Sequence, residues 1–208
     1  REGQYYQRGA VSPTAKEGQG WGLDTAAVRR HFFIDPSLLA TWKLNKTTGF
    51  ELNYSFNTRL PDIMKTIGYR DLTNPLYITE GNPGLRNTHT HDVRLTYNMI
   101  LARSQTSLSA VVSYNHNDRE TTTAISYDPS TAVYVSRPEN VQGGKSWNFR
   151  LNFDQGLGDY FRLQSDLRLN SSLHYGYLTL LPAQTERTLN RQSSLAPRER
   201  LSLSIDYH

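Results

Sequence analysis

Cysteine is absent from the 208 residues, which excludes a disulfide framework, thiolate metal sites and a cysteine nucleophile. Long hydrophobic runs are absent too. No window approaches the ~18 consecutive apolar residues that a membrane helix requires. Helical spans are thereby excluded, but membrane strands are not, because alternation dilutes their hydropathy. Blocks of like charge are also missing. The chain carries 18 Arg and five Lys for a net charge of +4, with a pI near 9.3. Such a balance would suit nucleic acid, yet the arginines are dispersed among carboxylates rather than gathered. No nucleic-acid partner is expected. The chain opens Arg1-Glu2-Gly3-Gln4 without an apolar segment, so no secretory signal is read there. An exported protein with this start would be mature, trimmed or a fragment.

What the chain does have is alternation. Phe50, Leu52, Tyr54, Phe56 and Leu60 interleave with Glu51, Asn53, Ser55, Asn57 and Arg59. Strand side chains point to opposite faces with period two, so this pattern predicts a strand with one apolar and one polar face. The same pattern predicts strands from Phe32 to Leu44, from His89 to Leu101, around Leu108–His116 and around Trp147–Phe153. Two more run from Phe161 to Tyr177 and onward from Leu201. Residues 1–29 lack periodicity and are read as an irregular segment or loop, with room for one helical turn at Ala26–Arg30. Pro13 and the glycines at 18, 20 and 22 discourage a regular element.

The connections fall into two kinds. Short turns are expected near 45–48, 102–105 and 156–159, and long loops near 61–88, 119–144 and 178–197. The second loop should hold a hairpin, Thr121–Tyr127 against Ala132–Ser136, that ends at Pro138, Gly143 and Gly144. Ten-residue strands are about 33 Å long, or about 24 Å high at a ~45° tilt, close to the apolar belt of an outer-membrane barrel. Tight turns at one end and large loops at the other are the asymmetry of such barrels. Aromatics mark both ends of the apolar face: Trp42 and Phe50, Phe153 and Phe161 beside turns, and Tyr114, Tyr175 and Tyr177 opposite. The expected fold is all-β, an antiparallel meander of about seven long strands over 30–208, forming part of a transmembrane outer-membrane β-barrel. The competing reading is a soluble β-sandwich or small β-barrel used as a binding module.

Residues 69–85, Tyr-Arg-Asp-Leu-Thr-Asn-Pro-Leu-Tyr-Ile-Thr-Glu-Gly-Asn-Pro-Gly-Leu, resemble a loop of the outer-membrane β-barrels of TonB-dependent receptors. Arg59, Pro61, Asn74, Pro75, Gly81, Asn82, Pro83 and Leu85 fit that pattern, as does Pro138-Glu139-Asn140 further on. The chain departs from it after Leu85, where Arg86-Asn87-Thr88 replaces the usual Lys-Pro-Glu. The resemblance covers roughly residues 30–208. It implies a barrel segment of a receptor that imports a scarce nutrient across the cell outer membrane of a Gram-negative bacterium. It also implies partners: outer-membrane lipid, the remainder of the barrel and an N-terminal plug, a TonB-type energy transducer, and an unidentified nutrient. The segment would not transport alone.

Several constellations invite chemistry. Gly143-Gly144-Lys145-Ser146 resembles the end of a phosphate loop, but Glu139 stands where a glycine is needed and a strand follows instead of a helix. His89 and His91 share a strand face without a third metal ligand at suitable spacing. No Gly-x-Ser-x-Gly elbow occurs, and the loop carboxylates Asp62, Asp71 and Glu80 have no spacing that pairs them. No catalysis, cofactor or metal is expected. Asn74, Pro75, Gly81, Asn82 and Pro83 are read as a structural loop motif, since Pro fixes φ and Gly or Asn tolerates left-handed turns. Arg59, Arg94, Arg150, Arg162 and Arg168 lie on the polar face and are the candidates for an anionic ligand. They could instead pair with Glu51, Asp92, Asp154 and Asp166 across neighbouring strands.

Overall fold

A computed structural model describes residues 2–11, 25–177 and 189–205. Its elements, in chain order, are β1 (Glu2–Val11), β2 (Thr25–Ile34), β3 (Ser37–Lys43), β4 (Thr48–Arg59), α1 (Ile63–Thr66), β5 (Arg70–Asp71), β6 (Tyr77–Glu80) and β7 (Thr88–Leu101). There follow β8 (Thr106–Asp118), β9 (Glu120–Asp128), β10 (Val133–Val141), β11 (Lys145–Leu157), β12 (Phe161–Tyr177) and β13 (Leu189–Ile205). Seven of these strands form one sheet in the order β13-β12-β11-β8-β7-β4-β3, antiparallel throughout.

Register sorts the two faces. One cross-strand row reads Ala40, Leu52, Leu95, Val112, Phe149, Leu169, Pro197. The next towards the long loops reads Leu38, Tyr54, Val93, Tyr114, Trp147, Ser171, Leu195. Directly paired residues stand close enough for their side chains to touch, as the Tyr114 and Trp147 rings do at 4.4 Å and Phe50 and Tyr97 at 4.8 Å. Nothing in the described chain covers this apolar face. Trp42, Trp147 and Leu203 remain 61, 53 and 60% exposed. A sheet in water buries such a face against a second layer; this one has no such layer among the described residues. From Trp147 to Leu157 along β11 is about 33 Å, or about 23 Å of height at a 45° tilt.

Charge interrupts the face twice on β13, where Glu199 stands opposite Leu167 and Arg191 opposite Tyr175.

Tight connections close one end. Leu44 donates its amide to the Thr48 carbonyl at 3.0 Å across the β3–β4 turn. A 3-10 turn, Ala102–Ser104, joins β7 to β8. The β11–β12 turn uses Gly158 at φ 74°, where a side chain would be strained.

At the other end the β4–β7 and β8–β11 connections fold together as a cap. Strands β5-β6-β10-β9 form a four-stranded sheet, with β6 parallel to β10 (Ile78 opposite Val135). Here lies the buried apolar core of the described residues: Ile67, Ile78, Leu85, Ala124 and Val141. Two asparagines stitch the excursions. Asn82 donates to the Pro138 carbonyl at 2.8 Å and accepts from the Gly84 amide and the Arg137 guanidinium. Asn140 accepts from the Arg86 amide at 2.7 Å and donates to the Arg86 and Arg119 carbonyls. A Cβ on Gly81 would overlap the Ile67 carbonyl oxygen, so only glycine fits that approach. Asn74 accepts from the Leu76 amide, and Pro83 packs against Gly68.

Several sequence expectations are corrected. Residues 1–29 are not all irregular: β1 and β2 form an antiparallel ladder from Glu2 opposite Ile34 to Val11 opposite Thr25. Ala26–Arg30 is strand rather than helical turn, because a partner ladder satisfies the backbone whatever the local periodicity. Pro13 and glycines 18, 20 and 22 lie outside the described residues. The stretch Phe32–Leu44 is two strands broken at Asp35-Pro36; the Asp35 carboxylate takes the Thr58 amide in place of a ladder carbonyl. The 61–88 loop contains α1, β5 and β6. Pro138 does not end its strand. It sits in β10 past the last residue paired to β6, where its missing donor costs no ladder bond on that side. The 178–197 loop is shorter, since β13 starts at Leu189; residues 178–188 lie outside the described residues.

Asn82→Ala leaves buried partners unsatisfied and should cost about 1–3 kcal/mol, seen as faster hydrogen exchange in residues 82–86 and 137–141 while the long strands stay protected. Leu151→Arg, at mid-strand on the apolar face, should cost about 2–4 kcal/mol in chemical unfolding from lipid vesicles. Leu167→Arg, facing Glu199, should cost less.

Candidate functional site

The polar face is the hollow side of the large sheet. A cleft of about 1100 Å³ opens there beneath the cap, lined by Asn57, Arg59, Thr90, Asp92, Asn115, Asn117 and Glu120 among others. Its amides and hydroxyls are mixed with four carboxylates, Asp35, Asp62, Asp92 and Glu120, and two cations, Arg59 and Lys65. The Asp92 carboxylate accepts from Asn115 Nδ2 at 2.6 Å and from Asn57 Nδ2 at 3.4 Å. Nearer the turns lies a cleft of about 640 Å³ with Arg150, Arg168 and Arg200 in its wall. A smaller one of about 200 Å³ is lined by Arg94, Ser113, Asn148, Arg150, Arg168 and Asn170.

Register explains this concentration of arginine. Arg150 stands directly opposite Arg168, and Arg168 directly opposite Arg198, so three neighbouring strands place guanidinium groups in one row. Asp166 and Arg200 face each other in the next row. Asp166 is the carboxylate shared by the group: Arg168 Nε approaches it at 2.6 Å and Arg150 Nη2 at 3.1 Å. Like charges directly opposite in a sheet oppose folding by roughly 0.2–1 kcal/mol per pair. A single carboxylate offsets only part of that repulsion.

The candidate arginines therefore separate. Arg94, Arg150 and Arg168 come together around the smallest cleft. Arg162 lies six residues along β12 from Arg168, about 20 Å, and pairs with Asp154 at 3.8 Å. Arg59 lines the cleft beneath the cap. Of the proposed partners, Asp154 and Asp166 hold arginines; Asp92 is held by asparagines, and Glu51 shares the Arg150 row but lies three strands away. Among the described residues Arg59, Arg94, Arg198 and Arg200 form no salt bridge. Sequence reasoning missed Arg198 and Arg200. Extending the Leu201, Leu203, Ile205 alternation backwards would have placed both on the polar side.

The remaining sequence candidates have local roles. Asp62 caps α1 through the Met64 amide, and Glu80 pairs with Arg70 at 3.0 Å. Thr73, through its hydroxyl and then its amide, holds the Asp71 carboxyl below its ordinary range. Ser130, chiefly through its hydroxyl, does the same for Asp128 at the tip of the β9–β10 hairpin. His89 stacks on Phe56, and His91 lies between Tyr54 and His116 on the apolar side, with its Nδ1 3.1 Å from the Tyr54 hydroxyl. Lys145 opens β11, so no helix follows Gly143-Gly144.

An uncovered apolar face, a hollow polar face and connections sorted by end define the wall of a membrane β-barrel. The outer membrane protein beta-barrel family model matches residues 24–206, and the chain belongs to that family. Its place is the outer membrane, with the apolar face towards lipid. A comparison with curated protein sequences yields no match.

Neutralising a guanidinium that lacks a carboxylate should relieve repulsion. Arg198→Gln is expected to stabilise the barrel wall by about 0.2–1 kcal/mol, read as a higher midpoint in urea unfolding from detergent.

Proposed function

We propose that the chain is a barrel segment of a TonB-dependent outer-membrane receptor that imports a scarce nutrient. In this reading the segment is non-catalytic and works with the remainder of the barrel, an N-terminal plug and a TonB-type energy transducer. The observation that carries the reading is the cap. Two long connections are fused into one buried-core sheet above a polar cleft of about 1100 Å³, the arrangement expected of a mouth that holds a ligand rather than one that merely passes solutes. The 69–85 motif lies in that cap, with Gly81 and Asn82 at its most crowded points. Concave sites of this size accept small-molecule ligands.

The test uses the full receptor in outer-membrane vesicles. Binding of the purified periplasmic domain of a TonB-type protein, increased when ligand-containing medium is added, is the expected result. Passive, energy-independent conductance in planar bilayers with no such binding would make the protein a porin and overturn the reading.

A further inference from the structure

The polar face carries an electrostatic conflict that folding alone does not resolve. Arg150, Arg168 and Arg198 face one another across three adjacent strands, Arg200 lies one row away, and Arg94 shares a cleft with Arg150 and Arg168. Asp166 alone bridges two of them. A sheet selected only for stability would alternate the signs in such a row. We infer that this row is a binding site for a small polyanion bearing two or more carboxylate or phosphate groups.

The geometry suits that chemistry. Guanidinium groups present paired N–H donors that match the two oxygens of a carboxylate or phosphate. Arg150 and Arg168 are already positioned by Asp166, while Arg94, Arg198 and Arg200 have no salt bridge among the described residues. Arg198 and Arg200, set opposite Arg168 and Asp166 on the neighbouring strand, are the donors left for the ligand. The 640 Å³ cleft beside them has room for a molecule of that size, and Ser109, Asn152 and Ser202 in its wall supply neutral donors. Arginine thus outnumbers carboxylate towards the turns, where Arg150, Arg168 and Arg200 face Asp154 and Asp166, whereas the cleft beneath the cap carries Asp35, Asp62, Asp92 and Glu120 against Arg59 and Lys65. An anion entering past the cap would meet an attractive field deeper in the barrel. The inference rests on the polar face being the ligand-facing side, but not on energised import.

Calorimetric titration of the full chain in detergent tests it, with tricarballylate and tripolyphosphate as probes and maltotriose as the neutral control. Saturable binding of at least one anion is expected at about 0.15 M salt, weakening as salt rises; the tighter probe tells carboxylate from phosphate. The double substitution Arg198→Gln with Arg200→Gln should weaken it about tenfold or more, since each lost charged hydrogen bond is worth about that factor. Arg70→Gln should leave affinity within about twofold, because that guanidinium lies in the cap, paired with Glu80, and lines neither arginine cleft. The double variant must also unfold no earlier than the parent, which separates lost binding from lost structure. If it unfolds earlier, Arg198→Gln alone carries the same comparison. Absence of saturable binding, equal binding of maltotriose, or unchanged affinity in the variants would overturn the site. Failure to engage a TonB-type protein would leave these titrations as they are.

Discussion

Antiparallel register across seven strands is the constraint on which everything else depends. A slip of one residue in any pairing would exchange the two faces of that strand. With the register as it stands, Leu52, Leu95, Val112, Phe149 and Leu169 line up on one side and Glu51, Thr96, Val111, Arg150 and Arg168 on the other. The apolar side then has the height of a hydrocarbon layer, and the polar side becomes a hollow. Neither surface is a property of a single strand.

The molecule also inverts the usual arrangement of a protein interior. Its most buried side chains, Ile67 and Ala124, are in the cap, while the large aliphatic and aromatic residues of the wall stay uncovered. In lipid the wall needs no second layer, because hydrocarbon takes that place and the ladders satisfy the backbone. The cap stands outside that solvent and must be held by its own contacts. It relies on a small core, on parallel pairing of β6 with β10, and on asparagine side chains that continue hydrogen bonding where strands stop.

Much of the wall was legible in the sequence, because alternation is the signature of a strand with two unlike environments. It was plain over Phe50–Leu60 and Phe161–Tyr177. It failed where a strand lacks such a contrast: Glu2–Val11 and the first half of β13 have no clear period, and only their partners make them strands. Pro138 misled because its strand has a neighbour on one side only at that point. The site was half visible. Parity marked Arg94, Arg150 and Arg168 as facing the hollow, but their meeting with Arg198 depends on two pairings that no single segment reveals.

The stitching of the two excursions limits how they can diverge. Surface loops usually drift freely and tolerate insertions. Here Asn82 grips a carbonyl of the other excursion and Asn140 grips the backbone of the first, so a lengthening of either near those points would have to be matched in its neighbour. Freedom to vary is left at the tips, around Asp71–Asn74 and Asp128–Thr131, where the polar contacts are local. Among the described residues of the cap, sequence change would gather at those tips, with the joined bases inherited as one unit.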